Sequence, residues 1–114
     1  MKRLIKAFGN SLAGLAVVWR EEQAFRQDCL LVCLGAVLLV VLDLSVGIKI
    51  GLAFSLGLIL IAELINTAIE KVVDRIGIEY NELSKHAKDI GSAIVMMTIG
   101  LVIALWVAVL IFVI

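Results

Sequence analysis

Residues 90–114 carry no charge, an unbroken run of 25. At about 1.5 Å of rise per residue, such a helix crosses a hydrocarbon core about 30 Å thick. Two earlier runs are shorter: 29–42 is uncharged, and 50–69 is interrupted only by Glu63. The polar link 43–47 between them makes these two runs a helical hairpin. Either alone could be a buried helix of a soluble protein, but with the third they leave too little polar surface to solubilise so small a fold. The composition agrees: 63% of the 114 residues are hydrophobic, none is proline, and mean hydropathy is +1.16, outside the range of an ordinary soluble domain. The expected fold is all-α: one integral-membrane domain over 1–114, with a surface helix at 2–20 and spans near 26–44, 48–72 and 88–112.

Ten basic and ten acidic residues cancel, so no overall field argues for nucleic acid or a basic partner. Their placement is informative. Lys2, Arg3, Lys6, Arg20 and Arg26 precede the first span, and Lys71, Arg75, Lys85 and Lys88 lie between the second and third; only Lys49 falls on the other side. The positive-inside rule puts the N-terminus and the 71–89 connection in the cytoplasm and the C-terminus outside. Trp19 and Trp106 suit the two interfacial belts. No small-residue cleavage site follows the basic start, so the spans are expected to be retained. Leu4, Ile5, Phe8, Leu12, Leu15 and Trp19 recur at helical spacing, an amphipathic helix lying in the cytoplasmic interface. Cys29 and Cys33 lack the further ligands a metal site needs, and read as packing or surface thiols.

The stretch AELINTAIEKVVDR (62–75) breaks the apolar pattern. Glu63, Asn66, Thr67, Glu70 and Asp74 fall on one helical stripe, which in a membrane helix must face protein or water. Counted inward from Lys49, Glu63 sits roughly 21 Å along the helix, some 9 Å short of the inner boundary. A carboxylate at that depth is costly and marks a functional path. The bland alternative is an interhelical hydrogen bond to a neighbouring Ser, Thr or Asn. Against it, Glu21, Glu22, Asp28 and Asp89 converge on the same layer. Glu22 and Glu70 can each give Mg²⁺ a hard oxygen ligand, with waters and substrate phosphates completing the shell. Lys88 is a point charge suited to those phosphates, and Glu63 could take the proton of a lipid hydroxyl. No P-loop, Rossmann or protein-kinase motif occurs, so a phosphoryl-transfer site here would be built from helix sides. It is too small to close within one three-helix subunit, which implies that neighbouring subunits share it.

The same residues carry a family resemblance. The segments AELINTAIEKVVDRIG (62–77), Glu79-Tyr80, Glu82-Leu83-Ser84, AKDIGSA (87–93) and EQAFRQD (22–28) resemble the prokaryotic diacylglycerol kinases, small integral-membrane enzymes unrelated to soluble lipid kinases, over nearly the whole chain. The resemblance implies a homotrimer in the bacterial inner membrane that phosphorylates a lipid hydroxyl with MgATP at a site between subunits. By position, it makes Glu63 the catalytic base, Asn66 its essential neighbour, and Glu22 and Glu70 the metal-binding carboxylates. Nucleotide contacts fall on Arg3, Asn10, Glu22, Glu70, Glu79, Tyr80, Asn81, Lys88 and Asp89. Lipid contacts fall on Arg3, Ala24, Phe25, Arg26, Gln27, Asp28, Glu63 and Ser92. Asn10, Leu12, Asn81 and Asp28 stand where relatives often have Tyr, Trp, His and Glu, which bears on the nucleotide contacts rather than the catalytic core.

Two alternatives accompany this reading. Undecaprenol kinase shares the Glu63, Asn66, Glu70, Lys88 and Asp89 pattern, though Asp74-Arg75-Ile76-Gly77 with Gly91-Ser92-Ala93 favours diacylglycerol. A small proton-coupled transporter also carries one membrane glutamate, but does not require a dense layer of acids and bases at one rim.

Overall fold

The computed structural model describes all residues 1–114 as four helices: α1 (Lys2–Glu21), α2 (Gln23–Val41), α3 (Val46–Ile76) and α4 (Glu82–Phe112). α2, α3 and α4 are each long and apolar enough to cross a membrane.

Their boundaries follow local chemistry and differ from the expected spans. α3 begins at Val46 because Ser45 caps it, its Oγ accepting the Ile48 N–H and so satisfying one of the first turn's free donors. α4 begins at Glu82, six residues before the expected 88, because the Asn81 side chain accepts the Ser84 N–H. Glu82 in its first turn complements the helix dipole. The supposed 71–89 connection is therefore helical except at 77–81, and with no proline to stop them α3 and α4 project past the apolar layer as polar helix. α2 ends at Val41 rather than near 44, where Leu42 turns extended.

α3 lies between α2 and α4 and packs more extensively on α4. The buried apolar residues include Leu52, Leu56 and Ala62 of α3, Leu39 of α2 and Val102 of α4. Gly35 admits Leu56: a Cβ there would stand 2.7 Å from the leucine Cδ1. Between α3 and α4 the Trp106 indole N–H donates to Ser55 Oγ at 3.0 Å, and the Ser55 hydroxyl donates to the Leu52 carbonyl. Trp106 thus satisfies its N–H on a neighbouring helix.

Only 12 of the 114 residues are buried, so most of the apolar surface of the long helices must meet lipid or other chains. The same holds for α1, whose Leu4, Ile5, Phe8, Leu12, Leu15 and Trp19 are all exposed.

Candidate active site

Four helices bring their polar residues to one end of the bundle: the last turn of α1, the start of α2, the second half of α3 and the start of α4. Glu63 reaches furthest into the apolar run of α3 and is 9% exposed, with Ala62 and Thr67 still more buried beside it. Its carboxyl group lies within hydrogen-bonding reach of Asp28 on α2, and close enough to Glu70 and Glu22 to feel their charge. The stripe on α3 therefore faces protein, and it meets acids from α2 and from the α1–α2 junction.

Asn66 bridges this cluster to α4. Its Nδ2 donates to Glu70 Oε1 at 3.0 Å, one turn further along α3, while its buried Oδ1 has no hydrogen-bond partner and lies against Gly91 of α4. The absence of a side chain at Gly91 lets the Asn66 amide approach α4. Glu70 is oriented by that bond and keeps its second oxygen free.

Glu22 is the single non-helical residue between α1 and α2, extended at φ −113° and ψ 105°. Its N–H donates to the Val18 carbonyl at 2.9 Å, and its carbonyl accepts the Arg26 N–H at 3.3 Å. The Arg26 guanidinium turns back to donate to the carbonyls of Trp19 and Arg20, capping the negative end of the α1 dipole. Lys71 donates to Glu21 Oε1 at 2.8 Å, and this bond with the ammonium charge holds the Glu21 carboxyl below the ordinary glutamate range.

Nearby, a polar cavity of about 360 Å³ opens where α3 passes into α4, lined by Glu79, Tyr80, Asn81, Lys88 and Asp89 together with Asp74. Lys88 Nζ is 2.6 Å from Asp74 Oδ1 and Lys85 Nζ is 2.7 Å from Asp89 Oδ2. These pairs are more than two-fifths exposed and add little to stability; their consequence is that both lysines are held at the cavity.

The structure thus gathers Glu22, Asp28, Glu63, Asn66 and Glu70 in one cluster, and Glu79, Tyr80, Asn81, Lys88 and Asp89 around one cavity. It leaves Arg3 and Asn10 exposed on α1, about 28 and 18 Å along the helix from Glu22. Ala24, Gln27 and Ser92 are exposed, while Phe25 is buried. Residue type and position tie Lys71 and Lys85 to the charge asymmetry and Gly91 to the family pattern, but none of the three to the site. Asp74 belonged to the stripe and could have been paired with Lys88; nothing in residue spacing reveals the Gly91 contact.

No three acidic, cysteine or histidine side chains stand close enough to enclose a metal ion. Glu22 and Glu70 nevertheless fit Mg²⁺: both are half-buried hard-oxygen donors, and this ion commonly takes one or two carboxylates, leaving the rest of its shell to water and phosphate.

Fold and site define a small three-span membrane protein whose chemistry is concentrated at one rim. The chain belongs to the prokaryotic diacylglycerol kinase family, which matches residues 9–110. It is 46% identical to a diacylglycerol kinase of Escherichia coli over 104 residues, 91% of this chain and 85% of that protein. It is also 42% identical to one of Pseudomonas aeruginosa, over 96% of this chain and 89% of that protein, and 41% identical to one of Haemophilus influenzae, over 98% and 95%.

Proposed function

We propose that this chain transfers the γ-phosphoryl group of ATP to the hydroxyl of diacylglycerol, giving phosphatidic acid and ADP. The observation that carries the reading is the setting of Glu63: a buried carboxyl on a membrane helix, grouped with Asp28, Glu22 and Glu70, in a chain whose relatives are named diacylglycerol kinases. ATP is the co-substrate of this family's reaction.

Glu63 takes the hydroxyl proton as the lipid oxygen bonds to the γ-phosphorus and the bond to the bridging β,γ-oxygen breaks. Its depth matches that of a glycerol hydroxyl below the headgroups, whereas the cavity beside Lys88 and Asp89 opens to water. Glu22 and Glu70 would hold Mg²⁺, which when bound neutralises phosphate charge. Asn66 keeps Glu70 aimed by donating to one of its oxygens, and Lys88 leaves Asp74 to meet a phosphate. Asp28, with Arg26 and Ser92 nearby in the family pattern, lies on the lipid's approach, while Glu79, Tyr80 and Asn81 contact the nucleotide. Arg3 and Asn10, far along α1, would reach the site of a neighbouring subunit in a homotrimer, which would also cover apolar faces the single chain leaves bare. The basic end, with the N-terminus, faces the cytoplasm of a bacterial inner membrane and the C-terminus the periplasm.

The test is transfer of labelled phosphate from ATP to diacylglycerol and to undecaprenol in mixed micelles, compared by kcat/KM. Diacylglycerol should be strongly preferred; preference for the polyprenol, or no transfer to either, would overturn the assignment.

A further inference from the structure

The junction between α1 and α2 is held from two sides, and the residues that hold it bracket the two proposed metal ligands. Residues 2–16 of α1 are exposed, and the side-chain hydrogen bonds joining α1 to other elements all lie in its last turn: Lys71 to Glu21, and Arg26 to the carbonyls of Trp19 and Arg20. Between this turn and α2 stands one extended residue, Glu22, so its two backbone dihedral angles set the angle between the helices and the direction in which its side chain leaves the backbone.

Glu21 precedes Glu22 and Lys71 follows Glu70, so the bond between Glu21 and Lys71 ties together the immediate neighbours of the two proposed metal ligands. Glu22, Glu70, Asp28 and Glu63 form a like-charged group, whose members repel one another at short range. Lys71 is a cation at its edge, within electrostatic reach of Glu21, Glu22 and Asp74.

We infer that the Glu21–Lys71 ion pair and the Arg26 cap form a clip that sets the bearing of Glu22 towards Glu70, making Glu21 and Lys71 positioning residues for the nucleotide's metal. This rests on the proposed role of Glu22 and Glu70. The pair is about half exposed, with side-chain accessibilities of 43% and 53%, so its coupling is that of a solvated ion pair, about two- to fivefold in a binding constant.

The experiment uses the full-length chain in proteoliposomes, as wild type, Lys71→Ala, Glu21→Ala, the double alanine variant, and the charge-reversed pair Glu21→Lys with Lys71→Glu. KM for MgATP and for diacylglycerol are measured separately. Iodide quenching of Trp19, whose carbonyl belongs to the clip, is followed in a Trp106→Phe background without substrates. Each alanine change should raise KM for MgATP about two- to fivefold, leave KM for the lipid unchanged and alter Trp19 quenching. The double variant should be no worse than either single, and the reversed pair should recover both readouts. Multiplicative single effects, a reversed pair as poor as the singles, or unchanged Trp19 quenching would overturn the clip. Absence of lipid phosphorylation by wild type would instead overturn the kinase reading, and the quenching arm would still decide the clip.

Discussion

Gly91 of α4 lies so close to the side-chain oxygen of Asn66 on α3 that a methyl group at position 91 has no room. Asn66 in turn holds Glu70 through a 3.0 Å bond, so a change on α4 reaches a carboxylate on α3. Gly91→Ala should force the amide aside, at an overpacking cost of about 1–3 kcal/mol, and lower kcat for lipid phosphorylation. Gly100→Ala, where a Cβ meets nothing within 4 Å, should leave activity intact. Thermal unfolding in detergent and steady-state kinetics of the two variants check this; equal behaviour would remove Asn66 as the link.

The base role of Glu63 makes a separate claim. Glu63→Gln keeps the side chain's size and its ability to hydrogen-bond Asp28, so the fold should persist while proton acceptance is lost. Phosphoryl transfer should fall by about 10²–10⁴-fold with the unfolding midpoint held or raised. A variant that retains wild-type turnover would reduce Glu63 to an interhelical contact.

The Trp106–Ser55 bond predicts an asymmetry. Trp106→Phe removes the donor, but Ser55 still donates to the Leu52 carbonyl, so the loss should be modest, about 0.5–1.5 kcal/mol. Ser55→Ala strands the indole N–H in an apolar bundle and should cost more, about 1–3 kcal/mol. Ser55 lies about 12 Å along α3 from Glu63, and neither residue is placed in the reaction, so kcat should change little. Equilibrium unfolding of both variants in mixed micelles measures the order; the reverse order would mean that the indole finds another acceptor.

Much of this was legible in the sequence because a membrane suppresses alternatives: long uncharged runs can be little else than spans, and polar residues at helical spacing within one must share a face. The stripe from Glu63 to Asp74 and the basic, amphipathic α1 follow from that. Helix ends were less legible. Apolar residues set span length, whereas α3 ends at Gly77 and α4 starts from Asn81, positions that respond to hydrogen bonding rather than to hydropathy. Residue type alone suits Trp106 to an interfacial belt; its acceptor is 51 residues away, a relation that no spacing encodes. The same is true of Lys71 with Glu21 and Gly91 with Asn66, each fixed by packing between helices.

The Glu21–Lys71 pair gives a pH prediction with a definite sign. Lys71 holds the Glu21 carboxyl below the ordinary glutamate range through a hydrogen bond and its charge. A lowered folded-state pKa means the pair stabilises the junction fully above the unfolded-state value and loses that contribution as pH falls through the folded one. Across neutral pH the pair should therefore be constant, and any change in activity between pH 6 and 8 must come from other groups, a window well above the ordinary glutamate value. Carboxyl-selective ¹³C NMR should show Glu21 titrating lower in wild type than in Lys71→Ala, where it returns towards the ordinary range. Trp19 quenching in the Trp106→Phe background should change over the same acidic interval. If the Glu21 midpoint is the same with and without Lys71, the two side chains are not paired in the membrane.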